Sequence, residues 1–235
     1  VEKMTDQINQ SFAFLDDWLQ KWGDKGYIPE YFINGIHPGK DWPIQQTRSE
    51  LYNICCEFEK KQLINGTILE IGLGNYGGTH MLWKKLFSRV ITIEFEEQWI
   101  NRLLQNNNDL LNNNTCVIRD FNFDLQLIHN IQSIIINGYS YNPDLLQLVK
   151  KIAPKVDVLF IDGEHRYNPV KLDTQLYYPF VRSGGMIVWH DAISRGWEVY
   201  KYLQDFAIGK IDNNQHNIQY VVSSDDIGVA YEIIK

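Results

Sequence analysis

Apolar residues recur at helical spacing near the start of the chain. Phe12, Leu15 and Leu19 fall on one face, and their spacing predicts a helix over residues 5–22. The stretch that follows is punctuated by glycine and proline, which is typical of a loop with short turns. We therefore expect residues 1–46 to form an N-terminal extension that serves as a lid, as part of a binding site or as an oligomer contact.

From residue 47 onwards, short apolar runs alternate with helical segments. The runs are typical of buried parallel strands. They cover residues 67–71, 90–94, 115–120, 156–162 and 186–190. Helices are predicted over residues 47–61, 78–88, 96–112, 143–152 and 167–182. The first of these helices has a capping box made by Thr47 and Glu50. This alternation implies a parallel sheet covered by helices on both faces, with right-handed crossovers.

The last part of the chain follows another pattern. Two strand-like runs, residues 218–222 and 228–234, are separated only by residues 223–227. Because so short a connection cannot cross over the sheet, these strands must pair antiparallel. The sequence therefore predicts one α/β domain over residues 47–235, with seven strands in a mostly parallel sheet.

The charge and composition of the chain limit the kinds of molecule that it is expected to bind. The formal net charge is −7 and the isoelectric point is near 5.4, which argues against duplex nucleic acid or an anionic membrane. The N-terminal residues have neither a basic segment nor a long apolar run, and the three cysteines lack metal-ligand spacing. We expect a cytoplasmic protein that acts on a small molecule, and assembly into a homo-oligomer is left open.

A glycine-rich turn follows the first strand of the predicted sheet. The run from Gly72 through Gly74 and Asn75 to Gly77 fits the pattern GxGxxG, in which glycines let the backbone approach a ligand closely. Glu94 ends the next strand, where a carboxylate can accept hydrogen bonds from two ribose hydroxyls. Both NAD and S-adenosylmethionine carry that ribose, so the pair does not choose between them.

Three features favour S-adenosylmethionine. Glu70 precedes the turn, where its carboxylate would repel a pyrophosphate but tolerate an ammonium and a sulfonium. Asp120 ends the third predicted strand, where its carboxylate could accept a hydrogen bond from the exocyclic amine of an adenine. The third feature is the antiparallel pair of strands at the end of the chain.

With these features the chain resembles the class I S-adenosylmethionine-dependent methyltransferases. The resemblance implies a Rossmann-like sheet in the order 3-2-1-4-5-7-6, with strand 7 antiparallel. It also implies that Gly72 and Gly74 pack against the amino-acid part of the cofactor and that Glu94 holds its ribose. Asp120 and Phe121 would border the adenine.

Titratable residues follow the fourth and fifth predicted strands. Asp162 and His165 come after one strand, and His190 and Asp191 after the other. Ligands of open α/β sheets bind at the carboxyl ends of the strands, so we expect these four side chains to converge. Methyl transfer to oxygen needs alignment of the reacting atoms and a base or a metal at the hydroxyl. His165 can be that base, and the two aspartates can hold Mg²⁺.

The runs around these residues resemble the macrocin-type sugar O-methyltransferases and the cephalosporin-hydroxylase-like proteins. The resemblance implies O-methylation of a sugar or another natural product, with His165 as the base. Asp162, beside the cofactor, and Asp191 would be metal ligands. His190 departs from the metal-dependent members, because Mg²⁺ prefers oxygen ligands. His190 is kept as a candidate third ligand. Because histidine suits Mg²⁺ less well, a site that works without a metal is the alternative.

Two other classes of function stay open. A NAD-dependent oxidoreductase would share the glycine turn and Glu94, and a non-catalytic protein could retain the same fold. The acceptor site is expected to come from residues 20–45, from the loop before residues 143–152 and from residues 192–197. Aromatic residues there either stack on the acceptor or pack internally, namely Trp42, Tyr139, Tyr141 and Trp197.

Overall fold

The computed structural model describes most of the chain, in seven stretches. These are residues 2–23, 46–74, 77–106, 114–122, 124–193, 196–221 and 228–235. Within them the strands are β1 (Thr67–Ile71), β2 (Arg89–Glu94), β3 (Thr115–Ile118), β4 (Ser133–Asn137), β5 (Val156–Ile161), β6 (Val181–Trp189), β7 (Gln219–Val221) and β8 (Val229–Ile233). The α-helices are α1 (Glu2–Gly23), α2 (Arg48–Lys60), α3 (Gly78–Leu86), α4 (Glu97–Asn106), α5 (Pro143–Ile152), α6 (Tyr167–Tyr177) and α7 (Val199–Ala207). Short 3₁₀ helices cover Leu125–Ile128 and Tyr178–Phe180.

The strands form a single mixed sheet in the order β3-β4-β2-β1-β5-β6-β8-β7. All pairs from β3 to β6 are parallel, whereas β8 pairs antiparallel with both β6 and β7. The mostly parallel α/β fold and the reversed strand near the end of the chain are therefore confirmed. The carboxyl ends of the parallel strands lie along one edge of the sheet.

The predicted strand count and order were wrong by one strand. β4 occupies the place beside β2 that we expected for residues 115–120, so β3 stays at the edge of the sheet but lies one strand further from β2. In the described residues between β3 and β4, which are 119–122 and 124–132, the only helix is the 3₁₀ helix Leu125–Ile128. Because these described residues contain no long helix, the strand–helix alternation breaks at this point.

Helices cover both faces of the sheet. On one face α1, α2 and α3 bury large side chains against β1 and β5, among them Phe12, Phe58, Trp83 and Phe160. On the other face α5, α6 and α7 pack around Tyr177, Trp189, Tyr202 and Phe206. The predicted N-terminal helix is present as α1, and its apolar face belongs to the same core as α2 and α3. Every helix in the described part of the chain is too short or too polar to cross a lipid bilayer.

Candidate functional site

A cavity of about 330 Å³ opens at the carboxyl edge of the sheet. The turns after β1, β2, β4 and β5 supply its walls. Five of the predicted site residues line it, namely Gly72, Gly74, Glu94, Asp162 and His165. Asn75, which was predicted to bind the cofactor, lies outside the described residues, as do Trp42 and most of the predicted N-terminal loop.

The glycine turn brings the ends of β1 and β5 together. Gly72 has φ +96°, and a Cβ atom placed on it would lie 2.1 Å from the backbone oxygen of Asp162. Gly74 and Gly77 also have positive φ angles, and Gly77 precedes the first residue of α3. Since a side chain at Gly72 would collide with backbone, only glycine allows this approach.

Glu94 connects the turn to the end of β2. Its Oε2 accepts a hydrogen bond from the Leu73 amide (2.8 Å), and its Oε1 accepts one from the Glu96 amide (2.7 Å). Burial raises the pKa of Glu94 above its usual range, although these amides favour the carboxylate. Each carboxylate oxygen can accept a second hydrogen bond, so Glu94 keeps acceptor capacity toward a ligand hydroxyl.

Glu70 does not reach the cavity, contrary to our prediction. Side chains alternate between the faces of a strand, and it is Ile71 that lines the cavity. The Glu70 carboxylate is fully buried on the other face, where Trp83 Nε1 (2.8 Å) and Thr92 Oγ1 (2.7 Å) donate to it. Burial raises the pKa of Glu70 to about 7.

Asp120 and Phe121 are not among the residues that line the cavity, although the Phe121 ring lies 3.0 Å from a Cβ atom placed on Gly138, which does line it. They follow β3 at the edge of the sheet, where Asp120 is exposed and accepts a hydrogen bond from the Asn122 amide (3.0 Å). Asp120 and Phe121 do not line the cavity because β4 is inserted between β3 and β2, which moves the end of β3 away from the end of β2. Tyr139 and Ser140, which follow β4, line the cavity in their place. The apolar run Ser133–Asn137, closed by a glycine, was the signal for this missed strand.

Three half-exposed aromatic rings form a stack at the rim. The Phe95 and Tyr139 rings are 5.2 Å apart at 14°, and the Tyr139 and Tyr141 rings are 5.2 Å apart at 22°. All three residues line the cavity. Trp197 does not line the cavity. Its ring packs edge-on against that of His165, with 4.9 Å between the ring centroids. The rim therefore offers flat apolar surface to a ligand.

The four predicted catalytic residues converge. His165 Nε2 lies 3.0 Å from Asp191 Oδ2 and 3.4 Å from Asp162 Oδ1. His190 Nδ1 lies 3.0 Å from Asp162 Oδ1 and 3.3 Å from Asp191 Oδ2. The His190 contacts lack the alignment of hydrogen bonds, so they are electrostatic. Asp191 adopts a left-handed backbone, with φ +56°.

The two histidines and Asp162 shift one another's pKa values, and the Asp191 carboxylate contributes to the shifts of the histidines. Burial alone would raise the pKa of Asp162, but His190 and His165 outweigh it and hold that pKa well below its usual range. Burial would lower the pKa values of both histidines, yet the facing carboxylates raise them. The shift is larger at His190, whose pKa lies well above its ordinary value.

The beginning of α2 also reaches this cluster, which the sequence did not indicate. Gln46 Nε2 donates a hydrogen bond to Asp162 Oδ2. Glu50 is fully buried, and its Oε2 lies 3.8 Å from His190 Nε2. The same Glu50 oxygen accepts from the Thr47 amide and hydroxyl, so the predicted capping box is confirmed.

Asp162, His165 and Asp191 could together hold a metal ion. One ligand atom from each lies within 4.8 Å of the other two. The converging set contains His165 in place of the predicted His190. Two carboxylates and one imidazole fit a divalent cation, but this mixed donor set does not single out Mg²⁺, which prefers oxygen.

Comparison with known proteins identifies a family domain that contains part of this site. A family model described as a methyltransferase domain matches residues 78–192, which include Glu94, Asp162, His165 and Asp191. An uncharacterized protein of Acanthamoeba polyphaga mimivirus is 36% identical over 89 residues, which is 35% of this chain and 40% of that protein. The matched segment thus spans less than half of that relative.

Several solved structures share the fold. An O-methyltransferase from Bacillus cereus in complex with S-adenosylhomocysteine has a TM-score of 0.56 and 16% identity, with 95% of this chain and 91% of that chain covered. A TDP-rhamnose 3′-O-methyltransferase of calicheamicin biosynthesis has a TM-score of 0.55 and 11% identity, with coverage of 97% and 93%. An O-methyltransferase of tomaymycin synthesis from Streptomyces achromogenes, in complex with S-adenosylmethionine, has a TM-score of 0.53 and 13% identity, with coverage of 83% and 82%.

Proposed function

Since the chain belongs to the S-adenosylmethionine-dependent methyltransferases, we propose that it methylates a hydroxyl oxygen of a small molecule, with His165 as general base. The observation that carries this proposal is the position of His165. It lines the cavity that begins at the glycine turn, and its ring contacts the carboxylates of Asp162 and Asp191.

The charge of the cavity supports S-adenosylmethionine over NAD. The acidic residues that line it are Glu94, Glu96, Asp162, Glu164 and Asp173. Within the described part of the chain, no lysine or arginine lines this cavity. Carboxylates at this density favour a ligand that carries an ammonium and a sulfonium, and they would repel a pyrophosphate.

His165 would act through its two ring nitrogens. Nε2 faces the carboxylates of Asp162 and Asp191, and a tautomer protonated at Nε2 would leave Nδ1 to take the proton of the acceptor hydroxyl. His165 would thereby leave the oxygen as the nucleophile for the methyl group. Asp162 and Asp191 stabilise the imidazolium that results. The bound cofactor supplies the electrophilic methyl group and leaves as S-adenosylhomocysteine.

The remaining residues position the reactants. Gly72 and Gly74 let the backbone approach the amino-acid part of the cofactor, and Glu94 accepts hydrogen bonds from its ribose. A divalent cation, Mg²⁺ among the candidates, would be held by Asp162 and Asp191 and would lower the pKa of the acceptor hydroxyl. The stacked rings at the rim and the fold shared with a TDP-rhamnose 3′-O-methyltransferase favour a sugar or a related natural product as acceptor.

Calorimetry with S-adenosylhomocysteine and with NAD⁺ tests the cofactor. We expect saturable binding of the former and none of the latter, and saturating ligand should raise the melting temperature. Binding of NAD⁺ alone would favour an oxidoreductase. Binding of neither would leave a non-catalytic protein with this fold.

A further inference from the structure

Asp173 is a buried carboxylate on a helix face that is otherwise largely apolar. It shares the buried face of α6 with Val170, Thr174 and Tyr177, and only 4% of its surface is exposed. Among the described residues it forms no ion pair with lysine or arginine, and burial raises its pKa to about 6. Burying a carboxylate without a cation costs stability. Asp173 nevertheless lines the cavity, where it can contact a ligand.

Two side chains of α6 hold the loop that follows β4. Asp173 Oδ1 accepts a hydrogen bond from Ser140 Oγ, and the hydroxyl of Tyr177 donates to the backbone oxygen of Ser140 at 2.6 Å. Asp173 and Tyr177 are four residues apart and so share one side of the helix. A Cβ atom placed on Gly163, another lining residue, would lie 3.7 Å from Asp173 Oδ2. The second carboxylate oxygen therefore lies close to Gly163, at the wall of the cavity.

The order of the strands indicates where a nucleoside base would lie. β1, β2 and β4 are neighbours, and their carboxyl ends carry the glycine turn, Glu94 and Ser140 in that order. A nucleoside with its ribose at Glu94 and its sulfur toward His165 must extend its base toward the end of β4. The rings of Phe95 and Tyr139 lie at that end and offer surfaces for stacking.

We propose that Asp173 and Ser140 recognise the 6-amino group of the cofactor's adenine and so determine the base specificity of the site. The inference rests on the proposed use of S-adenosylmethionine. The exocyclic amine of adenine has two N–H donors, which Asp173 Oδ2 and Ser140 Oγ can accept. Hypoxanthine carries a carbonyl oxygen at the same position. That oxygen would face carboxylate lone pairs, and the polar groups of the protein would be left unpaired.

Calorimetry with S-adenosylhomocysteine and S-inosylhomocysteine tests this assignment. We expect the unmodified protein to bind the inosyl compound about 100-fold more weakly, since sites built to hydrogen-bond a donor reject analogues that lack it. Asp173→Asn should bind S-adenosylhomocysteine at least about tenfold more weakly. It should also lose or reverse the preference, because its amide can donate to a carbonyl oxygen.

Asp120→Asn is the matched control. It makes the same chemical change at the residue that the sequence favoured, and both affinities should stay as they are. Equal selectivity in the unmodified protein and Asp173→Asn, or no selectivity at all, would overturn this inference alone. If the unmodified protein failed to bind S-adenosylhomocysteine, the proposed function would fall and this inference with it.

Ser140→Ala provides a second variant, in case Asp173→Asn does not fold. Removing the hydroxyl should weaken S-adenosylhomocysteine binding several-fold and reduce the preference for adenine. Unchanged affinity and selectivity in Ser140→Ala would contradict the assignment.

Discussion

His165 Nε2 lies 3.0 Å from Asp191 Oδ2, and the two residues come from turns that follow neighbouring parallel strands. The contact orients the imidazole, and the carboxylates of Asp162 and Asp191 raise the pKa of His165, as expected of a base that must hold a proton during the reaction. A residue with this role is dispensable for cofactor binding but not for turnover.

Replacement of His165 by alanine should therefore separate binding from catalysis. We expect turnover to fall about 10²- to 10⁴-fold, the usual contribution of a general base. The affinity for S-adenosylhomocysteine should change little. Turnover is measured by methyl transfer from labelled S-adenosylmethionine to the hydroxyl compound that the unmodified protein accepts. Calorimetry measures the affinity for S-adenosylhomocysteine. His129→Ala, which replaces an exposed histidine, is the control. Normal turnover in His165→Ala would show that His165 is not the base.

Asp191 should contribute to divalent-cation binding. Calorimetry with Mn²⁺ and Mg²⁺ should show binding to the unmodified protein, and Asp191→Asn should weaken it at least about tenfold because a ligand carboxylate is lost. Asp120→Asn, which lies away from the cavity, should bind the cation normally. Absence of cation binding to the unmodified protein would favour the metal-free alternative.

Gly72→Ala should abolish cofactor binding. The new Cβ atom would meet the Asp162 backbone oxygen at 2.1 Å, so the turn must move away from β5. We expect the affinity for S-adenosylhomocysteine to fall by about 100-fold or more, given what misplacement of about 1 Å costs at active sites. Gly184→Ala is the matched control, since it also has a positive φ but would meet only the flexible end of Arg182. Normal affinity in Gly72→Ala would contradict the role of the turn.

Glu70 should make stability depend on pH. Its pKa rises from about 4.5 in the unfolded chain to about 7 in the folded one, so the folded state binds the proton more tightly. Its stabilising contribution is complete below pH 4.5 and is lost as the pH rises through 7. Glu70→Gln cannot ionise, so its unfolding free energy relative to the unmodified protein should rise by about 3 kcal/mol between pH 4 and pH 8. Parallel curves from urea denaturation would rule this out.

Glu50 and His190 should be energetically coupled. Glu50→Gln can retain the capping box but removes the carboxylate charge 3.8 Å from His190 Nε2. In a double-mutant cycle with His190→Asn, unfolding free energies should reveal a coupling of roughly 0.5–3 kcal/mol. Asn142→Ala removes the cap of α5, a described helix that shares no contact with His190, so its effect should add to that of His190→Asn. Additive behaviour of Glu50→Gln would show that the two side chains act independently.

The sequence by itself determined the fold class and which candidate site residues come together, because these depend on local patterns. The period of apolar positions distinguishes strands from helices, and turn glycines mark where a backbone approaches a ligand. Since parallel strands end at one edge, Glu94, Asp162, His165 and Asp191 could be assigned to the same region before any packing was known.

The tertiary structure decided which side chains line the cavity. Their positions depend on which strands become neighbours and on which face of each strand is covered. β4 entered the sheet beside β2, so the end of the cavity expected to carry Asp120 carries Ser140 instead. The pleat of β1 turned Glu70 into the core. Gln46 reaches Asp162 and Glu50 reaches His190 only because the beginning of α2 packs there, and Asp173 meets Ser140 across 33 positions of sequence. Contacts between residues so far apart leave no periodic signal in the chain.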